Sequence, residues 1–458
     1  MNYNMNYKEF LNSKIQVAVP SGFECEKIND KLFDFQRDIV KWALKKGKAA
    51  IFAGTGLGKT FMQCEWAHRV VEHTGGRVLI LAPLAVAAQT IKEAQKIDVD
   101  VRFVAEQSDV ESGISITNYE KLEKFDLSVF DGVVLDESSI LKSFTGKVKQ
   151  KIIDSCASVP YKLACTATPA PNDYMELGNH AEFLGVMKRT EMLAMYFIHD
   201  GKDTAKWRLK GHAVKWFWEW VASWAVMLTN PRDLGYDGSR FDLPPLNIHE
   251  VVVHSEVQDS LFAVEALTLQ ERQAARRDSV DDRAKACAEL IADSKESWLV
   301  WCNLNSESEL LHKYIADSVE VKGADSNEYK EKMLIGFSTG DVKRLVSKPV
   351  IAGYGMNWQC CSKMVFVGLS DSFEQYYQAV RRCWRFGQTK PVDVYIIIAD
   401  TEGAVKANIE RKERDFNEML QGMISATQEI TKANIEQTIR KTSDYIAEER
   451  MVLPRWVA

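Results

Sequence analysis

The sequence predicts an α/β chain of two parallel-sheet domains in tandem. A tryptophan-rich, mainly helical insertion lies between them and a helical extension follows. Three observations predict it. Short apolar runs alternate with helical stretches twice along the chain, the pattern of parallel sheets covered on both faces. One such run, Ala49-Ala50-Ile51-Phe52, enters the glycine-rich stretch AGTGLGKT, Ala53 to Thr60. The second series of runs has no such loop but carries an arginine-rich segment.

Composition narrows the classes. The chain has 458 residues, room for two or three domains. Its formal net charge of −6 excludes a polycation, so any nucleic-acid contact must come from a local basic groove. Nine cysteines occur with no CxxC pair and no zinc-ligand spacing, which suits a reducing compartment. The N-terminus, MNYNMNYKEFLNSK, lacks the apolar core of a signal peptide, and no apolar run reaches membrane-spanning length. The expectation is a cytoplasmic protein with no membrane partner.

Residues 1–30 are polar and weakly patterned. The first domain is expected over 31–173. In LFDFQRDIVKWALKKGK, Phe35, Ile39, Trp42 and Ala43 share one helical face. Gln36 on this helix is either an exposed polar residue or an amide that reads an adenine edge. The AGTGLGKT stretch leads into FMQCEWAHRVV, whose apolar residues recur at helical spacing. Strand, glycine loop and helix in that order make a phosphate-binding loop. Gly54, Gly56 and Gly58 let backbone N–H groups converge on phosphate oxygens, and the helix N-terminus faces the same anion. Lys59 supplies a charge for the β- and γ-phosphates, and Thr60 a hydroxyl for Mg²⁺.

Further strands are expected at Arg77 to Pro83, Ile114 to Asn118, Val133 to Glu137 and Lys162 to Thr166, with a helix at 85–96. Ligands bind at the carboxyl ends of such strands. Asp136-Glu137 closes one of them, and two carboxylates there are costly unless a cation sits opposite. Either this is a solvated loop, or Asp136 holds Mg²⁺ and Glu137 orients and deprotonates an attacking water. CTATPAPND follows, with Thr166 and Thr168 on a rigid turn.

Residues 174–248 are expected as a helical insertion and linker. They hold five of the twelve tryptophans, and Trp216, Trp220 and Trp224 repeat every four residues. That stripe is core packing or an aromatic contact for a nucleic acid or partner. Lys202, Lys206, Arg208, Lys210 and Lys215 make the stretch locally basic. The second domain is expected over 249–400, with strands at 250–253, 298–301, 319–321, 344–346, 364–367 and 392–399. In FEQYYQAVRRCWRFGQ, Arg382 and Arg385 are three apart, hence on one face of a helix. They are a solvated face, a phosphate-backbone contact, or guanidinium groups that stabilise a transferring phosphate. Residues 401–458 read as a charged helical extension. Its Ile409, Phe416, Met419 and Leu420 can pack on a domain or a partner.

Taken together these residues resemble the superfamily 2 helicase-type ATPases with two RecA-like domains, nearest the Swi/Snf-like DNA translocases. The resemblance runs from about Leu32 to Ala399. It rests on Gln36, AGTGLGKT, LILAPLAVAAQT, ITNYEKL, LDESS, TATP, FDLPPL, SKPVIAGYGMNWQ and QAVRRCWRFGQ, in that order. It implies that Gln36, Gly54, Thr55, Gly56, Gly58, Lys59 and Thr60 hold ATP, with Mg²⁺ on Thr60 and Asp136. Lys59, Glu137, Arg382 and Arg385 are then the catalytic set, the two arginines reaching across from the second domain. Pro83, Asn118, Thr166, Thr168, Gly355, Asn357 and Gln388 are implied in nucleic-acid contact or coupling. The implied activity is ATP-driven movement along DNA, duplex favoured. Strand separation of DNA or RNA, and a nucleotide-dependent binding switch with little turnover, are the alternatives. The chain departs from the named box families in reading Asp-Glu-Ser-Ser, and carries Tyr354 and Met356 where relatives often differ. Its compactness is similar to helicases of bacteriophages and bacteria. A phage origin is expected, with phage or host replication and recombination proteins as partners; oligomeric state stays open.

Overall fold

The computed structural model describes residues 18–83, 86–142, 146–171, 173–200, 203–254, 276–352, 356–370, 372–400 and 403–439. Gly355, Tyr354 and Lys202, singled out above, lie outside the described residues.

The strands in chain order are β1 (Lys48–Ala53), β2 (Arg77–Ala82), β3 (Val101–Phe103), β4 (Gly113–Asn118), β5 (Gly132–Asp136), β6 (Tyr161–Thr166), β7 (Phe197–Asp200), β8 (Asp203–Leu209), β9 (Ala225–Leu228), β10 (Leu246–Val253), β11 (Trp298–Cys302), β12 (Ser318–Val321), β13 (Arg344–Ser347), β14 (Lys363–Val367) and β15 (Val392–Ala399). Among the described residues they form a seven-stranded sheet, β3-β4-β2-β5-β6-β1-β9, and a six-stranded sheet, β10-β15-β14-β11-β13-β12. All pairings in both are parallel. These are two α/β domains, each built on a parallel sheet. β7 and β8 form a separate antiparallel hairpin.

The helices are α1 (Asp34–Lys46), α2 (Lys59–Thr74), α3 (Ala87–Lys96), α4 (Lys147–Ser155), α5 (Leu177–Leu184), α6 (Arg189–Tyr196), α7 (Val214–Ala222), α8 (Val280–Ile291), α9 (Asn305–Tyr314), α10 (Asn327–Thr339), α11 (Pro349–Ala352), α12 (Phe373–Val380) and α13 (Gly403–Ile439). Among the described residues, none is long and apolar enough to cross a membrane.

The central strands are buried along nearly their whole length, which is why they read as continuous apolar runs. β1 lies between β6 and β9, with Ile51 level with Cys165 on one side and Val226 on the other. That register sets the ends of β1, β5 and β6 side by side at one edge of the sheet.

The tryptophan-rich stretch departs from its expectation. α7 stops at Ala222, where Ser223 Oγ donates to the Trp220 carbonyl at 2.6 Å. Trp224 therefore leads into β9 and is not part of a helical stripe. A five-residue apolar run suits a helix or a buried strand equally, and pairing with β1 decides it. The expected insertion thus supplies an edge strand of the first sheet. Trp220 and Trp224 are fully buried, with ring centroids 5.4 Å apart, so they are core.

α13 lies along both domains. Phe416 packs against Phe373 and Tyr377 of α12, at centroid distances of 5.3 and 5.5 Å. Farther along, Ile435 joins the core of the first sheet, and Asn434 Nδ2 donates to the Ala222 carbonyl at 3.3 Å. Ile409, Phe416, Met419 and Leu420 of the extension pack into the chain's own core. Replacing Phe416 by Ala is expected to cost about 3 kcal/mol. The urea midpoint should fall accordingly; a midpoint equal to wild type would mean that this anchor contributes nothing.

Candidate active site

β1 delivers the chain into a turn with two left-handed glycines, Gly56 at φ 93 and Gly58 at φ 78. Gly58 caps α2, so Lys59 and Thr60 open that helix. A Cβ at Gly58 would stand 2.2 Å from Gln36 Nε2, and one at Gly56 would stand 2.8 Å from the backbone N of Phe386 in the second domain. Both positions thus require glycine for conformation and for close approach. Gly54 donates its N–H to the Leu228 carbonyl at 2.9 Å, tying the loop to β9. Thr55 and Thr60 are half-buried.

Gln36 is buried, not exposed. Its Oε1 accepts from the Phe33 N–H and its Nε2 donates to the Leu57 carbonyl, both at 2.9 Å. The amide therefore binds the start of α1 to the loop. Lys59 Nζ donates to the carbonyls of Ala53 at 2.8 Å and Gly54 at 3.4 Å. Burial pushes its pKa down, against the pull of Glu137 and Asp136.

Asp136 ends β5, and its carbonyl accepts from the Tyr119 hydroxyl at 2.7 Å. Burial first, then the Glu137 carboxylate, raises the Asp136 pKa to about 6, with Gln63 and Lys59 opposing. Glu137 donates its N–H to Asp136 Oδ1 at 3.1 Å. Its φ of 52 is left-handed, a conformation that costs about 1 kcal/mol outside glycine. Such strain persists where surrounding contacts impose it, commonly at working sites. Thr166 Oγ1 lies 3.5 Å from Glu137 Oε2 and accepts the Thr168 N–H at 3.1 Å. The four side chains share the end of the sheet that the strand pattern indicated.

The arginines differ from expectation in one respect. α12 ends at Val380, so neither lies on the helix. The ladder tightens there: the Arg382 N–H bonds to the Ala379 carbonyl, while Arg382 Nε turns back to the Gln378 carbonyl. Arg382 also donates from one terminal nitrogen to Met356 O and from the other to Gln378 Oε1, each at 3.1 Å. These three bonds join its guanidinium to Gln378 and Met356. Arg385 faces the first domain. Burial, then Arg382, lowers its pKa to about 9, and Glu93 and Glu137 of the first domain pull it back up. Its Nε is buried with no hydrogen-bond partner among the described residues.

The remaining positions divide. Gln388 is saturated within its domain: its amide donates to the carbonyls of Gln359, Cys361 and Cys383 and accepts from the N–H groups of Thr389 and Lys390. Asn118 and Asn357 each keep a buried Oδ1 without a partner among the described residues, and Pro83 is half-buried at the end of β2. Five residues were missed by the sequence reading. Glu93 on α3 sits close enough to affect Arg385, and nothing in its helical pattern marks it. Phe386 and Phe241 stack with centroids 4.9 Å apart beside the loop, and both lie in motifs already quoted. Lys142 pairs with Glu374 across the domains.

Residues 282–387 match the family model described as the helicase conserved C-terminal domain. That span holds Arg382 and Arg385 and lies in the second domain. Among solved structures, the chain is similar to the SWI2/SNF2 ATPase core of Sulfolobus solfataricus in complex with dsDNA, at 18% identity and a TM-score of 0.42, covering 91% of this chain and 98% of that one. No curated protein matches the chain.

The Asp136 shift has a measurable sign. Its pKa rises from 3.8 to about 6 on folding, so the stability tied to its protonated form is present below the lower value and lost as pH rises through the upper. Asp136→Asn cannot ionise. It should exceed wild type in stability by about 3 kcal/mol near neutral pH, the gap closing toward pH ~4. Thermal midpoints of both proteins across this window check it, and a gap independent of pH would contradict the burial argument.

Proposed function

We propose that the chain is an ATP-driven DNA translocase whose hydrolytic site is completed between its two domains, with duplex DNA as the track. The observation that carries this reading is the close approach of the second domain to the glycine turn, where a Cβ at Gly56 would stand 2.8 Å from the Phe386 backbone N, next to Arg385, whose buried Nε has no hydrogen-bond partner among the described residues.

The residues present suit magnesium and a triphosphate. A left-handed glycine turn, a lysine at a helix N-terminus and a buried acid with a raised pKa form a donor set for a polyanion with its cation. Lys59 and the loop N–H groups would hold the phosphates, Thr60 and Asp136 the metal. Bound ATP with Mg²⁺ supplies the phosphoanhydride and neutralises charge on the oxygens. Gln36 would read the adenine edge only with its remaining donor and acceptor capacity, since Phe33 and Leu57 already engage its amide. Glu137 orients the attacking water and takes its proton. Arg385 would stabilise charge as the phosphate transfers, a task that needs the domains together. Arg382 bridges the Met356 carbonyl and Gln378, so it would carry domain position to the segment near Asn357. Pro83, Asn118, Thr166, Thr168 and Asn357 are proposed for nucleic-acid contact or coupling.

Steady-state ATP hydrolysis tests this with duplex DNA, single-stranded DNA, RNA or no nucleic acid. Blunt duplex is expected to stimulate turnover, and Glu137→Gln and Arg385→Ala to lower it about 100-fold or more while ATP still binds. Undiminished hydrolysis by Glu137→Gln would sink the site assignment. Stimulation mainly by single strands would favour a strand-separating helicase. ATP binding without turnover under any condition would favour a nucleotide-dependent switch.

A further inference from the structure

The turn after the acidic pair is held by groups outside the machinery described so far. Ser138 follows the left-handed Glu137 and is fully buried, and its Oγ lies 3.1 Å from Nε2 of His180 on α5. The preceding residue on that helix, Asn179, donates from Nδ2 to the Leu141 carbonyl at 2.8 Å. Both α5 side chains are fully buried. His180 also packs edge-on against Phe52 of β1, with ring centroids 5.0 Å apart and planes at 80°. One imidazole thus touches the strand entering the phosphate-binding loop and the turn leaving the acidic pair.

A fully buried imidazole is costly where an aliphatic side chain would fill the space. Burial lowers the His180 pKa to about 4, against hydrogen bonds involving Glu176 and Ser138. The ring is therefore neutral at working pH, and its contribution is geometric. The Glu137 backbone is bracketed on both sides: Tyr119 holds the Asp136 carbonyl before it, and His180 and Asn179 hold the Ser138–Lys142 turn after it.

We propose that His180, with Asn179, is a positioning residue that latches the Ser138–Lys142 turn to α5 and so keeps Glu137 left-handed, with its carboxylate toward Thr166. The inference rests on the ATPase reading above, in which Glu137 serves the attacking water.

The test compares kcat, KM for ATP and thermal midpoint in the full chain for wild type, His180→Leu, His180→Gln, Ser138→Ala and the Ser138→Ala/His180→Leu pair. Displacing Glu137 should lower kcat about 10- to 100-fold, and Ser138→Ala, which keeps the His180–Phe52 packing beside the phosphate-binding loop, should leave KM within about twofold. His180→Gln, which keeps a hydrogen-bonding group, should recover most of the rate. The double variant should be no worse than the poorer single, because both remove one contact. Ser138→Ala deletes only a hydroxyl, so it decides the matter if His180→Leu does not fold. A folded variant with wild-type kcat, or losses that simply add, would overturn the latch. A loss of kcat that tracks the thermal midpoint, with no recovery by glutamine, would make His180 merely structural and overturn it too. A wild type that binds ATP but never hydrolyses it would instead strike the ATPase reading itself.

Discussion

Desolvated charge between the two sheets is the constraint on which the rest of the site depends. Lys59, Asp136 and Arg385 are each pushed by burial toward their neutral forms. No ion pair among the described residues neutralises any of the three. Lys59 bonds to loop carbonyls, Asp136 stands beside another acid, and Arg385 keeps an unpartnered Nε. Burying charge without pairing it opposes folding. A polyanion with its cation would reverse the sign of each of these terms. The glycine turn, the strained Glu137 and the close approach of Phe386 then read as parts of one arrangement that holds opposed charges ready for such a ligand.

The surroundings give that arrangement its rigidity. Gln36 fills the space beside Gly58, β9 ties down Gly54, and Tyr119 and α5 bracket the acidic pair. The second domain is locked in a comparable way. Gln388 gathers three carbonyls from two segments, and Arg382 joins Met356 to Gln378. Arg385 is left as the side chain that faces outward from this lattice toward the first domain.

Much of this was legible in the sequence, for physical reasons. Parallel strands buried on both faces are near-continuous apolar runs, so five strands of the first sheet and all six of the second could be read directly. The glycine turn was legible because few side chains tolerate its backbone. β9 was not, since Ala225–Leu228 has the composition of a helix end and only pairing with β1 makes it a strand. β3 is three residues long, too short for periodicity to register. The different surroundings of Arg382 and Arg385 were hidden as well. Their spacing suits one helical face, but the chain leaves the helix at Val380, and that depends on acceptors supplied by Met356 and Gln378. His180 carried no local signal at all, because its partner is 42 residues away.

The course of α13 has a mechanical consequence. A helix of 37 residues is a stiff rod of about 55 Å. It is pinned near its middle by Phe416 on α12 and near its end by Ile435 in the first sheet's core. The halves cannot draw apart along that rod without pulling an apolar side chain into water. Separation along its axis is therefore resisted at two points of one continuous helix, which ties the domain that carries Arg385 to the sheet that carries Glu137.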